Sequence, residues 1–142
     1  MRTVIKTYKF KLYKSKKNKH LNHSIDIGAS IWNYCIAMHR RYYRLYKKHL
    51  SANKLMKHIT KIKKTLHPEW KDLGSQAIQD VVQRVERSYK AFFEHRKQKR
   101  HGKKSPPSFK KRSRYTSFTL KQSGYAFGPG NKVTIMGRDY KY

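Results

Sequence analysis

Pro106-Pro107-Ser108-Phe109-Lys110-Lys111-Arg112-Ser113-Arg114-Tyr115-Thr116-Ser117-Phe118-Thr119-Leu120 divides the chain into two kinds of text. Two adjacent prolines stop any helix that precedes them. A run of cations follows, and then aromatic and hydroxyl side chains alternate. Upstream of this stretch the apolar residues recur mostly at helical spacing. Downstream they come in short runs broken by glycine.

Working outward toward the N-terminus, Val4 to Tyr13 alternates with period two. Val4, Lys6, Tyr8, Phe10 and Leu12 face one way, and Ile5, Thr7, Lys9, Lys11 and Tyr13 the other, which predicts a strand with one cationic face. From Leu21 the period changes: Leu21, Ile25, Gly28, Trp32, Cys35, Met38, Tyr42, Leu45 and Leu50 predict one long helix, roughly 45 Å if it runs for about thirty residues. Ser51 caps a second helix with the stripe Leu55, Ile59, Ile62 and Leu66, which Pro68 ends. Ser75 after Gly74 caps a third, with Ile78, Val81, Val82, Val85, Tyr89, Phe92 and Phe93 as its apolar face. Asp80 lies early in that helix, where the dipole favours an anion. Residues 115–121, 125–127 and 132–136 read as strands separated by Gly124 and by Gly128-Pro129-Gly130-Asn131.

The expected class is α+β: a first strand in residues 1–14, a three-helix insert in 15–95, a basic loop in 96–108 and the remaining strands in 109–142. The late strands rejoin the first in a small β-sheet or barrel.

A formal net charge of +29, from 36 Lys and Arg against 7 Asp and Glu in 142 residues, repels a compact fold unless a polyanion neutralises it. The cations are spread along the whole chain and no long apolar run interrupts them, so nucleic acid fits better than a membrane. Eleven Tyr and six Phe argue for a core or for base stacking rather than a disordered coat. No signal-peptide pattern opens the chain, and the single cysteine, Cys35, allows no internal disulfide. The expected setting is cytoplasmic.

Two clusters stand out for phosphate contact: Arg40, Arg41, Arg44 and Lys47 at the far end of the first helix, and Arg96, Lys97, Lys99, Arg100, Lys103 and Lys104 in the loop. Lys110, Lys111, Arg112 and Arg114 continue them. A solvated face is the competing reading. The helix pair around Pro68–Gly74 is helix-turn-helix-like, with a turn longer than usual. The third helix opens with Ser75, Gln76 and Gln79, suited to a phosphate or a base edge; for Gln79, bidentate contact with adenine competes with a plain surface glutamine.

Metal and catalytic readings fare worse. His20, His23, Cys35 and His39 have ligand-like local spacing, yet on one helix the two pairs lie roughly 20 Å apart. Asp80 and Glu86 are about 9 Å apart along a helix and on different faces, unlike a two-metal carboxylate clamp. Most of the acids Asp26, Glu69, Asp72, Asp80, Glu86, Glu94 and Asp139 are expected to be local partners of the abundant Lys and Arg. No cofactor, metal site or catalytic residue is assigned.

Four pieces of sequence together resemble the N-terminal part of the TnpB (OrfB) proteins of insertion sequences. They are Tyr8-Lys9-Phe10-Lys11-Leu12-Tyr13 before a helix; Trp32-Asn33-Tyr34-Cys35-Ile36-Ala37; Ile78-Gln79 through Ser88-Tyr89-Lys90-Ala91-Phe92-Phe93; and Pro107-x-Phe109-Lys110-Lys111 with Ser117-Phe118-Thr119. The resemblance covers essentially the whole chain. It implies a helical recognition insert within a wedge-type β-barrel, guide RNA and DNA as partners, and Ser75, Gln76, Gln79 and Thr119 near a short DNA motif flanking the target. Members are RNA-guided DNA endonucleases whose RuvC domain and zinc ribbon follow this region. Here the sequence ends before RuvC carboxylates, has no Cys-x-x-Cys pair, carries Lys14 where a proline is common, and lacks an arginine before Trp32. The implied role is recognition without cleavage. A structural RNA-binding protein of ribosomal type and a nuclease completed by a RuvC chain in trans are the rival readings.

Overall fold

The computed structural model describes residues 3–142; Met1 and Arg2, the start of the expected first-strand region, lie outside the described residues. The class is α+β. Three α-helices, α1 (Asn18–Tyr46), α2 (Ala52–Lys64) and α3 (Ser75–Lys97), precede three short strands, β1 (Tyr125–Gly128), β2 (Lys132–Ile135) and β3 (Arg138–Lys141).

The long first helix forms but ends at Tyr46, so Leu50 of the predicted stripe lies beyond it and Leu45 is 60% exposed. The helix is buried more widely than one stripe, because Ile27, Ala29, Ile31 and Ile36 join Trp32 and Cys35 in the core. Helix α3 lies against it and contributes Ala77, Ile78, Val81, Val82, Val85 and Tyr89. Lys47 closes α1 in the left-handed conformation (φ 56°), its N–H donating to Tyr43 O. Ser51 caps α2 as expected, its hydroxyl accepting from the Lys54 N–H at 3.3 Å. Leu55, Ile59 and Ile62 are buried, whereas Leu66, beyond the helix end, is 71% exposed.

Two further helix boundaries differ from expectation. Helix α2 ends at Lys64, and Pro68 instead opens a 3₁₀ segment, Pro68–Leu73, that buries Trp70 and Leu73. A proline suits a helix start because its missing N–H would be unpaired there anyway. Ser75 is the first residue of α3 rather than its cap. The cap position belongs to Gly74, whose φ of 84° suits glycine, and no side chain bonds the helix start.

The strands form an open antiparallel meander in the order β1-β2-β3. Phe127 pairs with Val133, and Val133 with Tyr140. The β2–β3 turn is Met136-Gly137, both at positive φ, as two-residue hairpin turns require. Strand β3 is absent from the sequence reading.

Two expected strands do not form. Val4–Tyr13 makes no ladder: Val4, Tyr8 and Phe10 are exposed, so its alternating faces have nothing to bury against. Its link to the sheet is one backbone bond, Tyr13 N–H to Lys141 O at 2.9 Å, with the Phe10 ring 4.7 Å from Tyr142. Residues 115–121 also pair with no strand. Their polar groups are taken up by a helix side chain, as described below. Phe109 likewise enters no sheet.

His39 is buried on α1, 4.9 Å from the near-parallel ring of His49 and 4.6 Å from Tyr89. Burial first, then neighbouring His49, pushes its pKa from 6.5 down to about 4 against the pull of Glu86. The unfolded chain therefore binds an extra proton between about pH 6.5 and 4. The stability that His39 contributes is full above pH 6.5 and drains as the pH falls through that window. Urea denaturation at pH 7 and pH 5 is expected to show a smaller pH loss for His39→Leu than for wild type; equal losses would contradict it.

Candidate nucleic-acid interface

The segment from Ser108 to Thr119 is strapped across α1 and α3 by side chains. On α1, Trp32 Nε1–H donates to Ser108 O at 2.9 Å. Asn33 makes a reciprocal pair with Lys110: its Nδ2 donates to Lys110 O at 3.0 Å, and Lys110 N–H donates to Asn33 Oδ1 at 2.8 Å. A side-chain amide thus satisfies a backbone residue as a neighbouring strand would. The Lys110 ammonium lies 4.2 Å from the centre of the Trp32 ring, and the Arg40 guanidinium 4.6 Å from that of Phe109. Tyr115 is buried where Gly28 gives it room: a Cβ on Gly28 would lie 3.0 Å from Tyr115 Cε1. Burial raises the Tyr115 pKa, and the adjacent Arg84 offsets part of that rise.

Arg84 of α3 holds the other end. Its Nη1 donates to Ser117 O at 2.9 Å and to Tyr115 Oη at 3.3 Å, and its Nη2 donates to Thr119 Oγ1 at 2.8 Å. The guanidinium is oriented by Asp80, one turn earlier and 3% exposed, with Nε 2.8 Å from Oδ2. That approach lacks hydrogen-bond alignment, so Oδ2 has a charge partner but no hydrogen bond. Arg87 and Lys121 approach Asp80 Oδ1 at 3.9 and 3.6 Å.

Between strap and helix lies a recess lined by Arg84, Arg87, Lys110 and Arg114 with the hydroxyl residues Ser88, Thr116 and Ser117, and no carboxylate borders it. Cations beside hydroxyl residues are suited to a phosphate, and the Ser88 hydroxyl itself donates to Arg84 O at 3.0 Å. Lys110 and Arg114 were expected at such a surface. Arg84 and Arg87 were missed, although the i, i+4 spacing of Asp80 and Arg84 was a readable signal.

The other expected residues fall into separate places. Gln76 and Gln79 come together in a hollow with Asn53, Gln83, Asp80 and Lys121. Ser75 is exposed outside that lining, and the Thr119 hydroxyl is already engaged by Arg84. Arg40 and Arg96 line one cavity between α1 and α3. Arg41, Arg44 and Lys47 are exposed at the end of α1, with the Lys47 ammonium 5.8 Å from the Tyr43 ring centre. Arg96 and Lys97 belong to the last turn of α3 rather than to a loop. Lys99, Arg100, Lys103, Lys104 and Lys111 are exposed, Arg100 donating to Gln98 Oε1 at 2.7 Å. Arg112 leaves the strap for a different recess, beside Asp26, Tyr34 and Glu69.

Five of the seven acids have local partners, of two kinds, and Asp26 and Glu94 form no ion pair among the described residues. Asp80 and Asp139 face Lys or Arg, while Asp72, Glu86 and Glu69 face His23, His49 and His67. Among the described residues no three His, Cys, Asp or Glu side chains gather as a metal-holding group. Cys35 is fully buried, its thiol pKa pushed up to about 12 by desolvation. No described helix is long and apolar enough to cross a membrane.

No protein-family profile matches the chain, and no curated protein matches it.

Replacing Arg84 by Ala strands a buried carboxylate and frees the strap. The expected cost is about 3 kcal/mol, toward the low end for breaking a buried pair because Arg87 and Lys121 still face Asp80. Adding Asp80→Asn should recover part of it in urea denaturation. A silent Arg84→Ala would contradict this role.

Proposed function

We propose that this chain binds nucleic acid without cutting it, reading RNA and DNA through a surface built on α1, α3 and the strap. The observation that carries the reading is the excess of cations left without a carboxylate: among the described residues only Arg84, Arg87, Lys121 and Lys132 pair with one, against 36 Lys and Arg in the chain. Such a surface gains free energy by displacing the counterions of a polyanion.

We propose further that it acts as the recognition region of a TnpB-like protein, with guide RNA and target DNA as partners and the cytoplasm as its setting. A supporting observation is that two of the four resembling pieces of sequence meet. Trp32-Asn33 clasps Ser108 to Lys110, 76 and 77 residues away. On this reading α1–α3 are the helix-turn-helix-like insert. The sheet belongs to a wedge-type β domain, and residues 8–13 approach its β3 edge through the single bond from Tyr13 N–H to Lys141 O. The hollow holding Gln76 and Gln79 reads the flanking DNA motif; Ser75 and Thr119 lie outside its lining, and the Thr119 hydroxyl is held by Arg84. A RuvC-containing chain supplies any cleavage. The partners proposed for Asp80, three cations rather than a second carboxylate, agree with a structural acid.

Fluorescence anisotropy on a library of randomised DNA duplexes and on a folded RNA hairpin tests this. Gln79→Ala should relax preference among duplexes while leaving the salt slope unchanged. Neutralising Lys97, Lys99 and Arg100 together should weaken binding evenly and flatten the slope by roughly 2 to 3. Binding indifferent to duplex sequence in wild type, with strong hairpin binding, would favour shape-read RNA instead. Cutting of DNA by this chain alone with Mg²⁺ would overturn the reading.

A further inference from the structure

The cavity that Arg40 and Arg96 share is unlike the polar recesses. It measures about 430 Å³, within the range of small-molecule sites. Its walls include Tyr89, Phe92 and Phe93 of α3, with ring centres 6.0 Å apart for Tyr89–Phe93 and 5.6 Å for Phe92–Phe93. Phe93 remains 43% exposed, an aromatic surface that the fold itself does not cover. The guanidiniums of Arg40 and Arg96 sit over Phe109 and Phe92 at 4.6 and 5.8 Å, and neither pairs with a carboxylate among the described residues. His39 also lines the cavity. It is 4% exposed, and its Nδ1 is buried without a hydrogen-bond partner.

Each feature selects against a different occupant. A hydrocarbon side chain would use the rings and waste both arginines. A bare phosphate would use the arginines and gain nothing from the rings. A nucleotide whose base is out of its helical stack uses both, and a base edge can bond a neutral imidazole nitrogen. We propose that this cavity receives one unpaired nucleobase, with Arg40 and Arg96 holding the adjoining phosphates. Resting on the nucleic-acid reading above, this gives the surface a second mode of contact, stacking on a single extruded base. The chemistry is common to RNA and DNA.

The test uses RNA and DNA hairpins carrying a single-nucleotide bulge, with 2-aminopurine, adenine or an abasic residue at the bulge. The abasic hairpin keeps every phosphate and loses the base alone. Wild type should bind the adenine bulge about tenfold tighter than the abasic one, with the same salt slope, since one stacked base is worth about that much. Binding should quench 2-aminopurine. Phe93→Ala should erase both the tenfold difference and the quench while binding the abasic hairpin as wild type does. Phe93→Leu, which keeps an apolar side chain but no ring, should do the same should the alanine variant unfold. A difference confined to the RNA or to the DNA hairpin names the source of the base. Equal, salt-sensitive binding of adenine and abasic bulges would overturn the base pocket and leave the nucleic-acid reading standing. A quench that survives in both Phe93 variants would overturn it likewise, and no salt-sensitive binding of any hairpin would overturn both.

Discussion

One side-chain amide decides where the strap from Ser108 to Thr119 meets the helical core. Asn33 accepts from and donates to the backbone of Lys110, and Trp32 takes Ser108 O beside it. Each such bond is worth only about 1 kcal/mol net, yet leaving the groups unpaired under the strap costs more. The prolines at 106 and 107 restrict the approach, so the chain reaches the helix already extended. From that contact the rest follows: Tyr115 reaches Gly28, Arg84 reaches residues 115–119, and Lys110 and Arg114 arrive opposite Arg84 and Arg87.

The fold tolerates its charge by keeping it out of the core and using its few acids locally. Asp80 is the exception, placed inside so that one arginine can be oriented toward four groups at once. A planar guanidinium can do this where an ammonium could not. The histidines serve a related purpose. His23, His49 and His67 meet carboxylates, and His39 stays neutral against a ring stack. The remaining Lys and Arg, some stacked on rings as Lys110 and Arg40 are, pair with no carboxylate among the described residues.

The three helices were legible because their apolar spacing is long and regular, and α2's serine cap because Ser51 precedes a clean stripe. The α+β class followed from the change of text at Pro106. Less legible were elements whose partner is distant. Residues 115–121 alternate like a strand, but their partner is the Arg84 side chain rather than a second backbone, and period alone does not tell these apart. Val4–Tyr13 alternates without a core to face. Strand β3 is short and charged, Arg138-Asp139-Tyr140-Lys141, and is held by pairing with β2 more than by its own pattern. In the site, Lys110 and Arg114 were readable as cations, whereas Arg84 and Arg87 were hidden within a helix read for its apolar face. The cavity around His39 needed two helices brought together before it existed at all.

The most direct test separates the placement of charge from its amount. Asn33→Ala leaves the net charge at +29 and removes both strap bonds to Lys110. Amide hydrogen exchange on free and RNA-hairpin-bound protein would be read at residues 108–119 together with affinity. The expected result is faster exchange of the free strap, unchanged exchange in α1–α3, and hairpin affinity reduced several-fold, in line with about 1–2 kcal/mol lost. A strap that exchanges freely while affinity stays at the wild-type value would show that bulk charge alone does the binding, and the placement of charge by the Trp32-Asn33 clasp would be wrong as its explanation.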